Sequence, residues 1–296
     1  MIRFLVDPFS APYLQRALLE AVLLGVLSGL VGVHVVLRRL TFLADTATHT
    51  VFPGLAIAFA TGTSLFLGAL VAGLLSAVVF TLLDRARRVT SDAALAVVLT
   101  SFFGLGVVVV SRTERYTADV TGLLFGHILT VDVATIVQTA GVLALVALAL
   151  ALTHKELVLR SFDEGAALAL GYPVARLDLL LNVVVVLVVV ASAQAVGTVL
   201  TVALLITPAA TARLVCRSVE QMYVVAAAVG ALGGWLGLAV SYEASIHHGL
   251  RLASGATIVA TTTAIFVLTA LGRWAWRGLR PLPRTTAQPP PATVLP

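Results

Sequence analysis

Charge is what this chain has least of. Of 296 residues only 19 are Lys or Arg and 14 are Asp or Glu, 11% in all, where a soluble domain carries about 25%. Hydrophobic residues reach 59% and mean hydropathy is +1.05, so polar groups cannot cover a globule of this size and lipid must cover part of it. A water-soluble protein is excluded. The apolar runs do not alternate with polar residues, which excludes a transmembrane β-barrel. One cysteine, Cys216, excludes an internal disulfide and an all-cysteine metal centre and leaves a small buried hydrophobe as its expected role. No Walker-type phosphate loop and no soluble domain occur, so any nucleotide hydrolysis that drives this protein must come from a partner.

What is there is a set of long apolar runs, each near the ~20 residues that span a bilayer. Cut at the charged clusters, they give nine candidate crossings at 17–37, 41–60, 64–83, 93–111, 133–152, 179–196, 197–212, 222–240 and 252–271. The expected fold is therefore an all-α polytopic membrane protein of about nine transmembrane helices. The 34 uncharged residues between Asp178 and Arg213 are too long for one crossing and tight for two. A turn near Ser192 to Gly197 divides them, and eight helices with a re-entrant hairpin is the alternative.

With the N-terminus outside, 14 basic residues fall in cytoplasmic segments and 5 in outer ones, the bias that orients membrane proteins. This distribution explains the excess of +5 without nucleic acid. Residues 1–16, with Asp7, Pro8 and Pro12, read as an interfacial lead-in rather than a cleaved signal peptide. Residues 17–272 form the expected transmembrane domain, and the proline-rich stretch 273–296 reads as a disordered cytoplasmic tail.

Ionisable groups inside a span are expensive and point to function. Glu20 lies one turn from Arg16, and an interfacial ion pair is the expected explanation for it. Asp45 and His49 differ, because they sit in the second span among Leu43, Ala44, Val51, Phe52 and Leu55. Four residues apart on a helix, they share one face roughly 6 Å apart along the axis. A carboxylate and an imidazole so placed can grip a divalent cation; the competing explanation is a neutralising Asp–His hydrogen bond. Two ligands do not complete a shell, whereas a second copy across a two-fold axis supplies two Asp and two His. A site that must also release its ion should bind it transiently. Thr46, Thr48 and Thr50 could add hydroxyls or hold water, and Pro53 with Gly54 interrupts the helix and frees carbonyls.

Other histidines carry weaker expectations. Glu243, His247 and His248 in the last outer loop, and His127 near the outer face, are candidate metal-entry residues; a solvated loop is the alternative. His34 reads as a hydrogen-bonded structural histidine and His154 as a solvated one. In the longest cytoplasmic loop, Asp163, Glu164, Gly165, Ala166 and Ala167 open a short helix that Gly171 caps and Pro173 stops. Short, partly apolar and on the basic side, it resembles the coupling helix by which ABC permeases dock on their ATPase.

Several segments in order resemble one family, the permeases of zinc and manganese ABC importers. They are Gly29-Leu30-Val31-Gly32-Val33 leading to Leu37-Arg38-Arg39-Leu40, Ala44-Asp45-Thr46-Ala47-Thr48-His49 with Pro53-Gly54, Leu123-Leu124-Phe125-Gly126, Glu164 to Gly171 with Pro173, Val196-Gly197-Thr198-Val199-Leu200, and Leu204 to Arg213 around Thr207-Pro208-Ala209-Ala210. The resemblance implies a type II ABC importer permease fold, a homodimer clasped by two ATPase subunits and fed by an extracytoplasmic metal-binding protein. It implies no resident cofactor, since zinc or manganese is cargo, and no enzymatic activity in this chain. It also implies that Asp45 and His49 line the metal route and that the Thr207–Ala210 segment packs helices closely. The chain departs from the family pattern in Thr46-Ala47-Thr48 and in His127. A cytoplasmic-membrane location follows from the same resemblance.

Ligation needs a neutral imidazole and an ionised carboxylate, so uptake is expected to fall as pH drops through the histidine titration. A siderophore or corrinoid permease would need a wide aromatic or basic cavity, which 7% aromatics do not favour. A secondary transporter would carry inverted repeats, and no convincing one is found. An intramembrane zinc protease would need the second histidine that His154-Lys155-Glu156 lacks.

Overall fold

The computed structural model describes residues 9, 11–86, 89–111, 126, 128–247, 249–250 and 252–278. Of the expected disordered tail 273–296, residues 273–278 instead end a helix, and of the expected lead-in 1–16, residues 12–16 begin one; the rest of the tail and most of the lead-in lie outside the described residues. Among the described residues the regular structure is helical: α1 (Pro12–Leu37), α2 (Thr41–Thr50), α3 (Phe52–Thr61), α4 (Leu65–Asp84), α5 (Ser91–Val110), α6 (Val133–Leu152), α7 (His154–Phe162), α8 (Glu164–Ala169), α9 (Val174–Ala195), α10 (Thr198–Val215), α11 (Val219–His247) and α12 (Ser254–Gly278), with a 3-10 turn at Ile128–Thr130. Seven helices (α1, α4, α5, α6, α9, α11 and α12) are long and apolar enough to cross a membrane. The serial pair α2–α3 and the shorter apolar α10 complete the nine expected segments.

The second expected span is broken where its sequence requires it. Pro53 has no N–H to return to the carbonyl of His49, so α2 stops at Thr50 and α3 restarts at Phe52 with proline in its first turn. The 179–212 segment divides at Gly197, whose φ of 86° and ψ of 161° suit glycine alone. Gly126 packs into that corner, and a Cβ there would lie 2.3 Å from the Ala195 carbonyl oxygen. α9 begins at Val174, five residues before the expected start, because Pro173 sets its first turn and the charges of Arg176 and Asp178 ride inside the helix.

Two helices form the hub. α1 packs along α11 with glycine facing glycine: a Cβ on Gly25 would meet the Gly230 carbonyl at 2.4 Å, and one on Gly29 would meet that of Ala226 at 2.6 Å. Gly32 admits the backbone of α10 at Leu205, beside buried Ala209. Small residues permit this approach where lipid supplies no hydrophobic drive between helices. α9 fills the middle with Leu181, Val184, Val185, Val188 and Val189, all buried. Outward stripes such as Leu67, Val71, Leu75, Val78 and Leu82 on α4 stay exposed, as a lipid-facing surface must. Trp274 and Trp276 project from the last turns of α12, where aromatic rings anchor helices at a membrane interface.

Candidate metal-translocation site

α2 is a ten-residue helix with two unlike faces. Leu43, Ala44, Ala47 and the threonines turn inward. Thr50 Oγ1 lies 2.9 Å from Ser76 Oγ on α4, the Thr48 hydroxyl donates to the Asp45 carbonyl at 2.7 Å, and Thr46 is buried. The expectation that these threonines supplement the Asp45–His49 pair is therefore not met by their placement: all three lie on the buried face, where Thr50 ties α2 to α4, Thr48 bonds its own helix and the Thr46 hydroxyl has no hydrogen-bond partner. The opposite face carries Asp45, half-exposed, and His49, exposed.

Asp45 and His49 make no hydrogen bond or ion pair with one another among the described residues, so the neutralising Asp–His bond is absent. The imidazole of His49 stands edge-on to Phe103 of α5 at 5.9 Å and 89°, and Phe103 lies 5.5 Å from the Phe52 ring. This aromatic edge orients the imidazole without occupying its nitrogens. Pro53 cannot donate to the His49 carbonyl, and the backbone at the C-terminal cap of α2 turns an amide toward it instead. One face thus offers two donors, a carboxylate oxygen and an imidazole nitrogen.

No group of three or more His, Cys, Asp or Glu able to hold a metal occurs among the described residues. A single copy therefore presents two side-chain donors at this face, fewer than a metal shell needs. Of the candidate entry residues, Glu243 lies in the last turns of α11, and His127, His248 and the His247 side chain lie outside the described residues.

At the other end of the bundle the expected short helix forms as α8. Asp163 caps it, accepting from the Ala166 amide at 2.9 Å, and Gly171, at φ 80°, ends it. Ala167 is fully buried beneath it, whereas Phe162, Leu168 and Leu170 are exposed. An ion-pair network underlies this region. Arg38 Nη2 donates to Asp178 Oδ1 at 2.5 Å, Arg160 contacts both oxygens of Asp178 at 3.2 Å, and Arg160 Nη1 reaches Glu164 Oε2 at 3.0 Å. Burial pushes the Arg38 guanidinium below its ordinary value, and Asp178 beside it acts the other way.

Three polar groups depart from their sequence expectations or extend them. Glu20 does not pair with Arg16; it is wholly buried and accepts from the Thr139 hydroxyl of α6 at 2.7 Å. His34 is the structural histidine expected, bonded to Tyr223 at 2.5 Å. His154 is not merely solvated, since its Nδ1 lies 3.5 Å from the same tyrosine oxygen and its Nε2 3.6 Å from Glu220. No local pattern marks these contacts, because they join residues 69 to 189 positions apart, Glu220 aside.

A polytopic helical bundle with a carboxylate and an imidazole on an open face between its spans has the build of a membrane permease. The chain belongs to the ABC 3 transport family, which matches residues 10–273. It is 37% identical over 256 residues to the manganese import system permease protein ScaB of Streptococcus gordonii, covering 86% of this chain and 90% of that protein. It is 35% identical over 268 residues to the manganese transport system membrane protein MntC of Listeria monocytogenes, covering 90% and 93%. Among solved structures it resembles PsaBC from Streptococcus pneumoniae in complex with Fab, with TM-score 0.78 and 36% identity over 91% of this chain and 95% of that one.

Proposed function

We propose that the chain is the permease of an ATP-driven importer for a divalent metal ion, manganese or zinc, in a bacterial cytoplasmic membrane. The observation that carries this reading is the Asp45–His49 pair, one turn apart at membrane depth, unbonded to one another and turned toward an open face. Polar groups on such a face cannot rest against acyl chains at low cost. A second copy covers them, and the two-fold then brings two carboxylates and two imidazoles to one cation. The manganese-import names of ScaB and MntC support the choice of cargo.

In this reading an extracytoplasmic binding protein delivers the cation past the end of α11, where Glu243 lies, with His127, His247 and His248 as further candidate entry residues. Asp45 and His49 of both copies hold it briefly, since a transport site must also release. Two ATPase subunits dock on α8, where Asp163 to Ala167 and Gly171 shape the helix and Phe162, Leu168 and Leu170 offer apolar contact. Their closure on ATP moves α8 and opens the site inward. The chain performs no chemistry of its own. The basic end carrying Arg38, Arg160 and Arg213 faces the cytoplasm, with the N-terminus outside.

The test is ATP-dependent manganese uptake into proteoliposomes by the complete transporter. Asp45→Asn and His49→Ala should each reduce uptake at least tenfold, about 1.4 kcal/mol of lost binding, while the complex still assembles. Near-parental uptake in both variants would defeat the site assignment.

A further inference from the structure

Asp178 occupies a position that the transport cycle needs filled. The coupling helix α8 packs on α7 and on the start of α9, and α2, which carries Asp45 and His49, begins on the far side of the α1–α2 corner. Besides the direct packing of α9 on α2, a charged side-chain link joins them, and it runs through a single carboxylate. Its Oδ1 accepts from Arg38 at 2.5 Å, and both its oxygens face Arg160 at 3.2 Å. Arg160 in turn holds Glu164, the first residue of α8, at 3.0 Å. The side chains of Arg38, Arg160 and Asp178 are only 10%, 16% and 20% exposed, so the network is screened less by salt than a surface pair.

The corner beyond Arg38 is stiff. Arg39 adopts φ 58°, a left-handed conformation rare for arginine. The Arg38 amide donates to the His34 carbonyl at 3.0 Å and the Leu40 amide to that of Val35 at 2.8 Å. Thr41 then opens α2. A displacement of Arg38 therefore passes into α2 with no flexible linker to absorb it, and Asp45 follows one turn after Thr41.

Resting on the importer reading above, we propose that Asp178 is a positioning residue that transmits the movement of α8 to the metal-binding helix α2, through Arg160 on one side and Arg38 on the other. It touches neither the cation nor ATP. Its function is to make α8 and α2 move together.

Three cuts test the link in the full transporter, reconstituted with its ATPase and binding protein: Arg160→Gln, Asp178→Asn and Arg38→Gln. Manganese uptake and phosphate release are read in the same vesicles, so the result is metal moved per ATP hydrolysed. Each cut should lower that ratio about tenfold, within the range of ordinary coupling energies, while hydrolysis continues. The Arg160→Gln, Arg38→Gln double variant should be no worse than either single, because one broken chain cannot be broken twice. Asp178→Glu, which keeps the charge, should recover most of the ratio. The proposal is overturned if the single variants keep the parental ratio, if their effects add, or if hydrolysis and uptake fall in proportion, which would mark a role in assembly alone. Should Asp178→Asn fail to assemble, the two arginine variants decide the matter. A parental complex that moves no metal would instead refute the importer reading, so the two failures are told apart.

Discussion

If the cation is held between two copies, spoiling one copy should spoil the pair. His49 suits this perturbation because it is exposed and meets Phe103 only edge-on. His49→Ala leaves no core cavity and forfeits an aromatic contact of about 0.5–1.5 kcal/mol. Each chain brings two donors to the shared face, so a mixed dimer keeps three of four. Random pairing of equal amounts of parental and variant chains yields about one quarter parental, one half mixed and one quarter variant dimers. If both imidazoles are required, a mixed dimer retains at most about a tenth of its rate, a loss of at least about 1.4 kcal/mol. Uptake by the mixture then falls to roughly three-tenths of parental or less, against about half if each chain works alone. Two affinity tags and sequential purification isolate the mixed dimer, whose manganese uptake in proteoliposomes can be measured directly. A mixed dimer that runs at half the parental rate or better would refute the shared site.

Two further expectations concern the scaffold. Gly126→Ala forces a side chain to φ 70° and places its Cβ 2.3 Å from the Ala195 carbonyl oxygen; the loss should be on the order of 3 kcal/mol, seen as a drop of several degrees in the melting temperature of the purified protein. Asp132, which caps α6, is held below its ordinary carboxyl value by hydrogen bonds from the Thr135 hydroxyl and amide. With the folded value below the unfolded one, its contribution is complete above the unfolded value of about 3.9 and is lost as pH falls through the folded one. Protection of the Thr135 amide against hydrogen exchange, corrected for the intrinsic rate, should therefore weaken only in that acid window and be weak at every pH in Asp132→Ala.

Much of the architecture was legible because a bilayer imposes a coarse rule: a crossing needs a long apolar run and tolerates few charges. The break at Pro53 and the corner at Gly197 were legible for the same local reason, a missing donor in one case and a φ reserved for glycine in the other. The start of α9 was misplaced because Asp178 reads as the polar edge of a loop, whereas in three dimensions two arginines neutralise it inside a helix. Spacing placed Asp45 and His49 on one face; which way that face turned depended on packing, and the threonines beside them turned the other way. Glu20 had a convenient cation four residues back and took a hydroxyl from α6 instead, since its side of α1 is enclosed by the bundle.

The joint between α1 and α11 has a mechanical corollary. Where Gly25 meets Gly230 the two main chains touch with no side chain interposed, so no rotamer change can slacken them. The pair behaves as one beam, and any rocking that exposes first one mouth of the molecule and then the other must pivot at its borders, not within it. The same absence of room restricts inheritance: at these positions even a single methyl would push the rods apart, whereas the lipid-facing stripe of α4 can exchange one oily residue for another with little consequence.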